Sequence, residues 1–306
     1  MRVVEADELR RALPMRAAID ALATAFARED PSLASPMRTT LATAAGTLMT
    51  MPATGDAGVG VKLVTLSEFN PQKGLPFVQA TYVLFDVESQ RPEAVIDGSE
   101  LTAIRTAAVS GVATSLLARP DASRLVLFGA GVQATAHLEA MSVVRPNEEV
   151  VVVSRGAPRA EALVAHATAL GCTARVGVPE DVSSADIVCT CTTSAVSVFR
   201  GEDLAAGAHV NAVGASLPLR RELDTETIRR AKVAVETRRD ALAEAGDLLI
   251  PISEGVIDAG HIRADLTDLA RGAVLRTDPA DITVFKSVGM AYEDLVIARA
   301  ALDALA

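Results

Sequence analysis

Short apolar runs separated by helical patterns mark the second half of the chain. Leu-Val-Leu-Phe at 125–128 leaves four consecutive apolar side chains, as a strand buried on both faces requires. Residues 150–153 repeat this pattern, and 173–178, 185–193, 208–214, 232–236 and 282–286 read as further strands, with a helix over 161–170. Strands alternating with helices predict a parallel sheet covered on both faces. The first half differs. Leu13, Ala17, Leu22 and Phe26 recur behind Pro14 and predict an amphipathic helix. Residues 37–51, 58–66 and 76–86 alternate as strands between Pro-, Gly- and Asn-containing loops, which predicts an antiparallel sheet. Asp97 or Ser99 can cap a helix running to Ala118, and the chain ends in a helix expected to return to the first part.

The glycines Gly129 and Gly131 begin where the 125–128 run stops. Gly129 suits a tight turn, Gly131 lets the backbone approach a pyrophosphate, and Ala134 is small enough for the next helix to pack on the strand. That helix, through His137, Leu138 and Met141, points its free amides and positive dipole end at the turn. The expected ligand is a dinucleotide. An acidic residue after the next strand would favour NAD; the chain instead has Ser154, Arg155 and Arg159, which suit a 2′-phosphate. NADP is therefore expected, with NAD possible.

Composition narrows the class. The 306 residues suffice for one large or two medium domains. A net charge of -10 argues against nucleic-acid or anionic-membrane partners, and 3% aromatic residues with no tryptophan offer no stacking platform for bases. Cys172, Cys189 and Cys191 cannot all pair and read as buried, reduced thiols of a cytoplasmic protein, with no metal site expected. The charged first residues lack a signal core, and no apolar run approaches a membrane span. His137 and His209 read as packed histidines, His166 and His261 as solvent-facing. Glu222 and Asp224 read as caps or salt-bridge partners, with orientation of a catalytic group as the alternative, and Arg229-Arg230 as a solvated helix face.

Three cations stand out. Arg38, Lys62 and Arg105 lie on otherwise apolar or small-residue segments, and a buried cation must be paired or bind an anion. Arg105, near a helix start, opposes the dipole unless an anion compensates it. Together they suggest a clamp for a small carboxylate.

The sequence resembles the ornithine cyclodeaminase and mu-crystallin family along nearly its whole length. The resemblance rests on Met51-Pro52, Gly60-Val-Lys62, Asn70 through Gly74-Leu-Pro76, Ile104-Arg-Thr-Ala-Ala108, Gly129-Ala-Gly-Val-Gln133, Asn211-Ala-Val-Gly214, Arg221-Glu-Leu223 and Phe285-Lys-Ser-Val-Gly289. It implies an α/β fold in which a Rossmann dinucleotide-binding domain (118–285) is inserted into an α+β substrate-binding and dimerisation domain (1–117 plus 286–306). It further implies a homodimer with Arg38, Lys62 and Arg105 around the substrate carboxylate. Thr106, Gly131, Val132, Gln133, Ser154, Arg155, Thr192, Val213, Lys286 and Gly289 match positions where members touch the dinucleotide, and the nicotinamide is expected at Val213 and Gly214.

Two departures bear on the reaction. Cyclodeaminases of the family carry an aspartate where this chain has Ser216 and a glutamate where it has Met49. Neither replacement is a competent base near neutral pH. The resemblance therefore points to an NAD(P)H-dependent reductase of cyclic ketimines, with Lys62, or a water it holds, as the expected proton donor and Arg105 as its catalytic companion. The rivals are an alanine- or opine-type dehydrogenase, a cyclodeaminase, and an NADPH-holding binding protein.

Overall fold

A computed structural model describes residues 1–306, the side chain of Pro71 excepted. The chain forms two compact units, Met1–Thr106 with Met290–Ala306, and Ala107–Gly289.

The first unit is built on a six-stranded sheet: β1 (Arg2–Val4), β2 (Thr39–Thr43), β3 (Gly46–Gly55), β4 (Gly58–Leu66), β5 (Val78–Phe85) and β6 (Pro92–Asp97), ordered β1-β6-β5-β4-β3-β2. Only β1 and β6 pair in parallel. The two-residue side-chain period puts Gly60, Lys62 and Val64 on one buried face with Met51, Tyr82, Leu84 and Ile96. The helices Met15–Arg28 and Ala291–Ala304 belong to the same core, where Phe26 meets the Tyr292 ring edge-on at 6.0 Å.

Some expectations need correction here. Residues 37–51 are not one strand but the hairpin of β2 and β3, reversing at Ala44-Ala45, and β1 and β6 went unrecognised. The helix buries Ala18, Ile19, Leu22 and Phe26, while Ala17 faces outward, because the stripe at spacing three and four runs one residue later.

The second unit holds eight parallel strands: β7 (Arg124–Phe128), β8 (Glu149–Val153), β9 (Thr173–Val176), β10 (Ile187–Thr190), β11 (His209–Ala212), β12 (Lys232–Val235), β13 (Ile262–Asp265) and β14 (Thr283–Lys286). Their order is β13-β12-β14-β11-β10-β7-β8-β9. The order reverses between β7 and β10, which creates a crevice at the carboxyl ends of those strands. The α/β, Rossmann-type expectation holds. β13 escaped notice because Ile-Arg-Ala-Asp is short and half polar.

The first unit boundary falls inside the helix Gly98–Leu117, earlier than the expected break at 117, and the second follows Gly289 rather than 285. Side-chain bonds explain the former. Ser110 Oγ bonds His137 Nε2 at 3.0 Å, and Asn211 Nδ2 donates to Thr114 Oγ1 at 2.8 Å. Burial holds His137 and His209 neutral, pushing their pKa values down to about 4 and about 3. His166 and His261 are half-buried rather than solvent-facing: His261 Nε2 lies 2.7 Å from the Ile228 carbonyl. Arg229 is exposed and pairs with Glu226, but Arg230 tucks inward to donate to the Gly201 carbonyl. Asp224 caps the helix Thr225–Arg230. All three cysteines are free. Among the described residues no helix is long and apolar enough to cross a membrane, and no group of three or more His, Cys, Asp or Glu side chains is placed to hold a metal ion.

Candidate active site

In the second unit, β7 delivers the chain into the glycine turn. Gly129 has φ +105°, and a Cβ there would lie 2.5 Å from the Cys191 carbonyl oxygen, so no side chain fits. At Gly131 a Cβ would meet nothing within 4 Å, so this backbone faces open space. Gly131 is the N-cap of the helix Val132–Val144; Val132 is 69% exposed, whereas Ala134 is fully buried against the sheet. A helix N-terminus capped by a glycine that faces open space, beside the strand-order reversal, fits a pyrophosphate. Ser154, Arg155 and Arg159 follow β8, the two arginines exposed and the Ser154 hydroxyl within 3.4 Å of the Gly156 amide.

Behind the ends of β10 and β11 sits a buried carboxylate. Glu222 Oε1 accepts from the Thr192 amide at 2.7 Å and the Thr192 hydroxyl at 2.6 Å. Its Oε2 accepts from the Thr190 hydroxyl at 2.8 Å and the Gly214 amide at 2.6 Å. Burial pushes its pKa upward, and these donors together with the Lys286 charge oppose that shift. Lys286 is itself fully enclosed, with Nζ 3.0 Å from Asp247 Oδ2 and 3.2 Å from the Ala212 carbonyl. Asp247 Oδ1 in turn accepts the amides of Glu222 and Leu223. Glu236 does similar work after β14, accepting from the Ser287 hydroxyl and from the Val288 and Gly289 amides. Val213 is half-buried, Gly214 exposed, and Ser216 half-buried on the loop that follows β11.

The cationic cluster lies in the first unit. Lys62 is 1% exposed, with Nζ 2.8 Å from Asp294 Oδ2 and 3.2 Å from the Thr102 hydroxyl. Arg105 Nη1 is 2.8 Å from Glu293 Oε2, and its Nε is 3.4 Å from Asp294 Oδ1. Both carboxylates occupy the first turn of the helix Ala291–Ala304, where the dipole favours them. Desolvation pulls the Lys62 pKa down to about 8; Asp294 opposes the fall, and the charges of Arg105 and half-buried Arg38 add to it. Lys62 and Arg105 share the Asp294 carboxylate, and Arg38 acts on Lys62 through its charge. The Tyr82 hydroxyl, fully buried against Gly60, has its pKa raised by burial and by Asp294. Thr106 is buried, its hydroxyl donating to the Thr102 carbonyl at 2.6 Å.

The chain matches the model of the ornithine cyclodeaminase/mu-crystallin family over residues 2–306. It belongs to that family. A Delta(1)-pyrroline-2-carboxylate reductase of Bacillus cereus is 38% identical over 314 residues, covering 98% of this chain and 95% of that protein. The ketimine reductase mu-crystallin of Mus musculus is 38% identical over 307 residues, covering 97% and 94%. The structure of Thermococcus litoralis Delta(1)-pyrroline-2-carboxylate reductase in complex with NADH and L-proline superposes with a TM-score of 0.94 at 34% identity, covering 99% of this chain and 97% of that one.

In this ornithine cyclodeaminase/mu-crystallin family member the sequence reading missed the carboxylates. Glu293, Asp294, Asp247 and Glu236 were given no role, and Glu222, read as a cap or salt-bridge partner with an orienting role as the alternative, binds two loop ends together. Its neighbours Arg221 and Leu223 carried a family motif, which was the available signal.

Proposed function

We propose that the chain is an NAD(P)H-dependent reductase of cyclic ketimines, converting pyrroline-2-carboxylate or piperideine-2-carboxylate to proline or pipecolate. The first unit holds the acid and the second the dinucleotide. Lys62 carries this reading. An ammonium with a pKa near 8 is mostly protonated at neutral pH and yet acidic enough to release its proton. Arg105 and Arg38 bind and orient the carboxylate. Bound reduced nicotinamide supplies the hydride. As the imine carbon accepts it, the C=N pair moves to nitrogen, which takes the proton held at Lys62 Nζ. The amine product is then protonated from solvent. Ser216 would meet the substrate without acting as a base, and Met49 likewise offers no base for a second amine.

Gly129, Gly131, Val132 and Gln133 would hold the pyrophosphate, with Thr106, Thr192, Val213, Gly214 and Gly289 along the rest of the dinucleotide. Lys286 acts from behind through Asp247, since its ammonium is enclosed. The test is loss of reduced cofactor on addition of pyrroline-2-carboxylate, of pyruvate with ammonia, or of no substrate, and cofactor-dependent ammonia release from ornithine. Turnover of the cyclic imine at least tenfold faster than the alternatives is expected. Preference for pyruvate with ammonia, or ornithine cyclisation, overturns the reading, and firm cofactor binding without turnover favours a binding protein.

Three finer points belong to this proposal. Ser154, Arg155 and Arg159 favour NADP over NAD, as exposed guanidinium groups suited to a 2′-phosphate. Substituting both arginines with alanine is expected to raise KM for NADPH by about tenfold or more, the scale of one or two charge-assisted bonds, and to leave KM for NADH within about twofold. Parallel changes for both cofactors would remove the preference. The protein is also proposed to be a cytoplasmic homodimer. The face of the first sheet opposite Lys62 exposes Leu41 and Leu63, with half-buried Leu48, Val61 and Val83 sharing that face. An apolar sheet face of this kind suits a second copy. Leu63→Asp is expected to halve the mass measured by light scattering, and an unchanged mass would place the interface elsewhere.

A further inference from the structure

We propose that Glu222 is a positioning residue for the nicotinamide half of the cofactor, holding the loop after β10 and the loop after β11 in the one arrangement that receives it. The proposal rests on the dinucleotide reading of the second unit. Glu222 is fully buried and lies after the Pro218 loop, away in sequence from the glycine turn. Oε1 takes the amide and hydroxyl of Thr192 on the loop after β10, and Oε2 takes the Gly214 amide on the loop after β11 together with the hydroxyl of Thr190, the last residue of β10. Four donors aimed at one carboxylate exceed what packing alone demands, because two neutral hydroxyls and two amides at a loop end are ordinarily satisfied by water or backbone. The fit also leaves no slack. A Cβ at Gly214 would lie 2.6 Å from Glu222 Oε1, so the loop touches the carboxylate directly.

The carboxylate is in turn held from behind. Asp247 Oδ1 fixes the amides of Glu222 and Leu223 at 2.7 and 2.8 Å, and Lys286 compensates Asp247 at 3.0 Å. The chain of contacts Lys286, Asp247, Glu222 thus ends on Thr192 and Gly214. A buried polar network of this kind rigidifies what it touches when every member is satisfied. The network's own bonds reach neither the glycine turn nor the Ser154 to Arg159 segment among the described residues; the glycine turn meets the loop after β10 through backbone at Cys191, whose amide donates to the Phe128 carbonyl without involving Glu222. Loss of the network is therefore expected to fall chiefly on the Thr192 and Gly214 end of the dinucleotide.

That asymmetry supplies the test. Glu222→Gln keeps the volume but places an amide NH2 where one of the backbone amides now donates, so one loop is pushed away. Binding to the purified full-length protein is measured by calorimetry, without turnover, for NADPH and for 2′-phospho-ADP-ribose, which lacks the nicotinamide. The Kd for NADPH is expected to rise about tenfold or more, the consequence of one buried donor left facing another, while that for 2′-phospho-ADP-ribose stays within about twofold. Glu222→Asp should recover part of the loss, and the unliganded protein should melt within a few degrees of the wild type. Thr190→Val, which deletes one donor inside the sheet, should weaken NADPH alone by a smaller factor and decides the matter if the glutamine variant does not fold. Equal weakening of both ligands, or no weakening of either, overturns the proposal. If the wild-type protein binds NADH but not NADPH, the same comparison is made with NADH and ADP-ribose, and failure to bind any of the four would instead overturn the dinucleotide reading.

Discussion

Replacing Lys62 with methionine is expected to lower kcat with pyrroline-2-carboxylate by about a thousandfold, within the range that loss of a positioned acid costs. Methionine preserves the length and apolar stem of the side chain on the inner face of β4, so the sheet keeps its packing; buried Asp294 loses its ion pair at 2.8 Å while retaining Arg105 Nε at 3.4 Å, so Tm should fall as well. Binding of the reduced cofactor should be unchanged, since neither Lys62 nor its partners Asp294 and Thr102 are among the residues proposed to hold it. The wild-type pH profile provides an independent check. A donor must be protonated to act, and burial has lowered the Lys62 pKa to about 8. Activity should therefore be level below that value and fall as pH rises through it, with a slope of one proton. In Lys62→Met this limb should vanish along with most of the rate. A variant that keeps its kcat, or a profile that rises through pH 8, would transfer the proton donor to another group.

The residues that read plainly from sequence were those whose identity conflicts with their surroundings. Gly129 and Gly131 end an apolar run that otherwise has no reason to stop. Lys62 interrupts an alternating apolar strand, and its position between Gly60 and Val64 fixes its face by period alone. Carboxylates were harder to read. Glu293 and Asp294 stand in the first turn of a helix, where acidic residues are the ordinary choice, and nothing local reveals that their partners lie 188 and 232 positions earlier. Glu222 was equally quiet: a charged residue between Arg221 and Leu223 after a proline loop resembles any surface segment until the fold closes it against Thr192 and Gly214. The strands β1 and β13 stayed hidden for a different reason. Each has three or four residues with a mixed pattern, and each exists because a neighbouring strand offers an edge, which is a tertiary cause that no window of sequence contains.

Arg105→Ala is expected to raise the KM for the imino acid by about a hundredfold, the worth of two charge-assisted bonds to a carboxylate, while leaving the Kd for reduced cofactor within about twofold. The single substitution carries a second consequence that has to be separated from the first. Glu293 is fully buried and Arg105 Nη1 pairs with it at 2.8 Å, so the alanine variant takes a guanidinium away from a buried carboxylate. Breaking such a pair from one side costs about 3–5 kcal/mol of stability, enough to lower Tm well beyond experimental error. Pairing Arg105→Met with Glu293→Gln removes both charges together and fills the volume, so stability should return toward the wild-type value. The KM should not return with it, because the guanidinium proposed to meet the substrate is still missing. If the double variant regains both Tm and KM, Arg105 serves only to neutralise Glu293 and the carboxylate is bound by Arg38 and Lys62 alone. If Tm recovers and KM remains high, the same side chain both compensates the helix terminus and holds the acid.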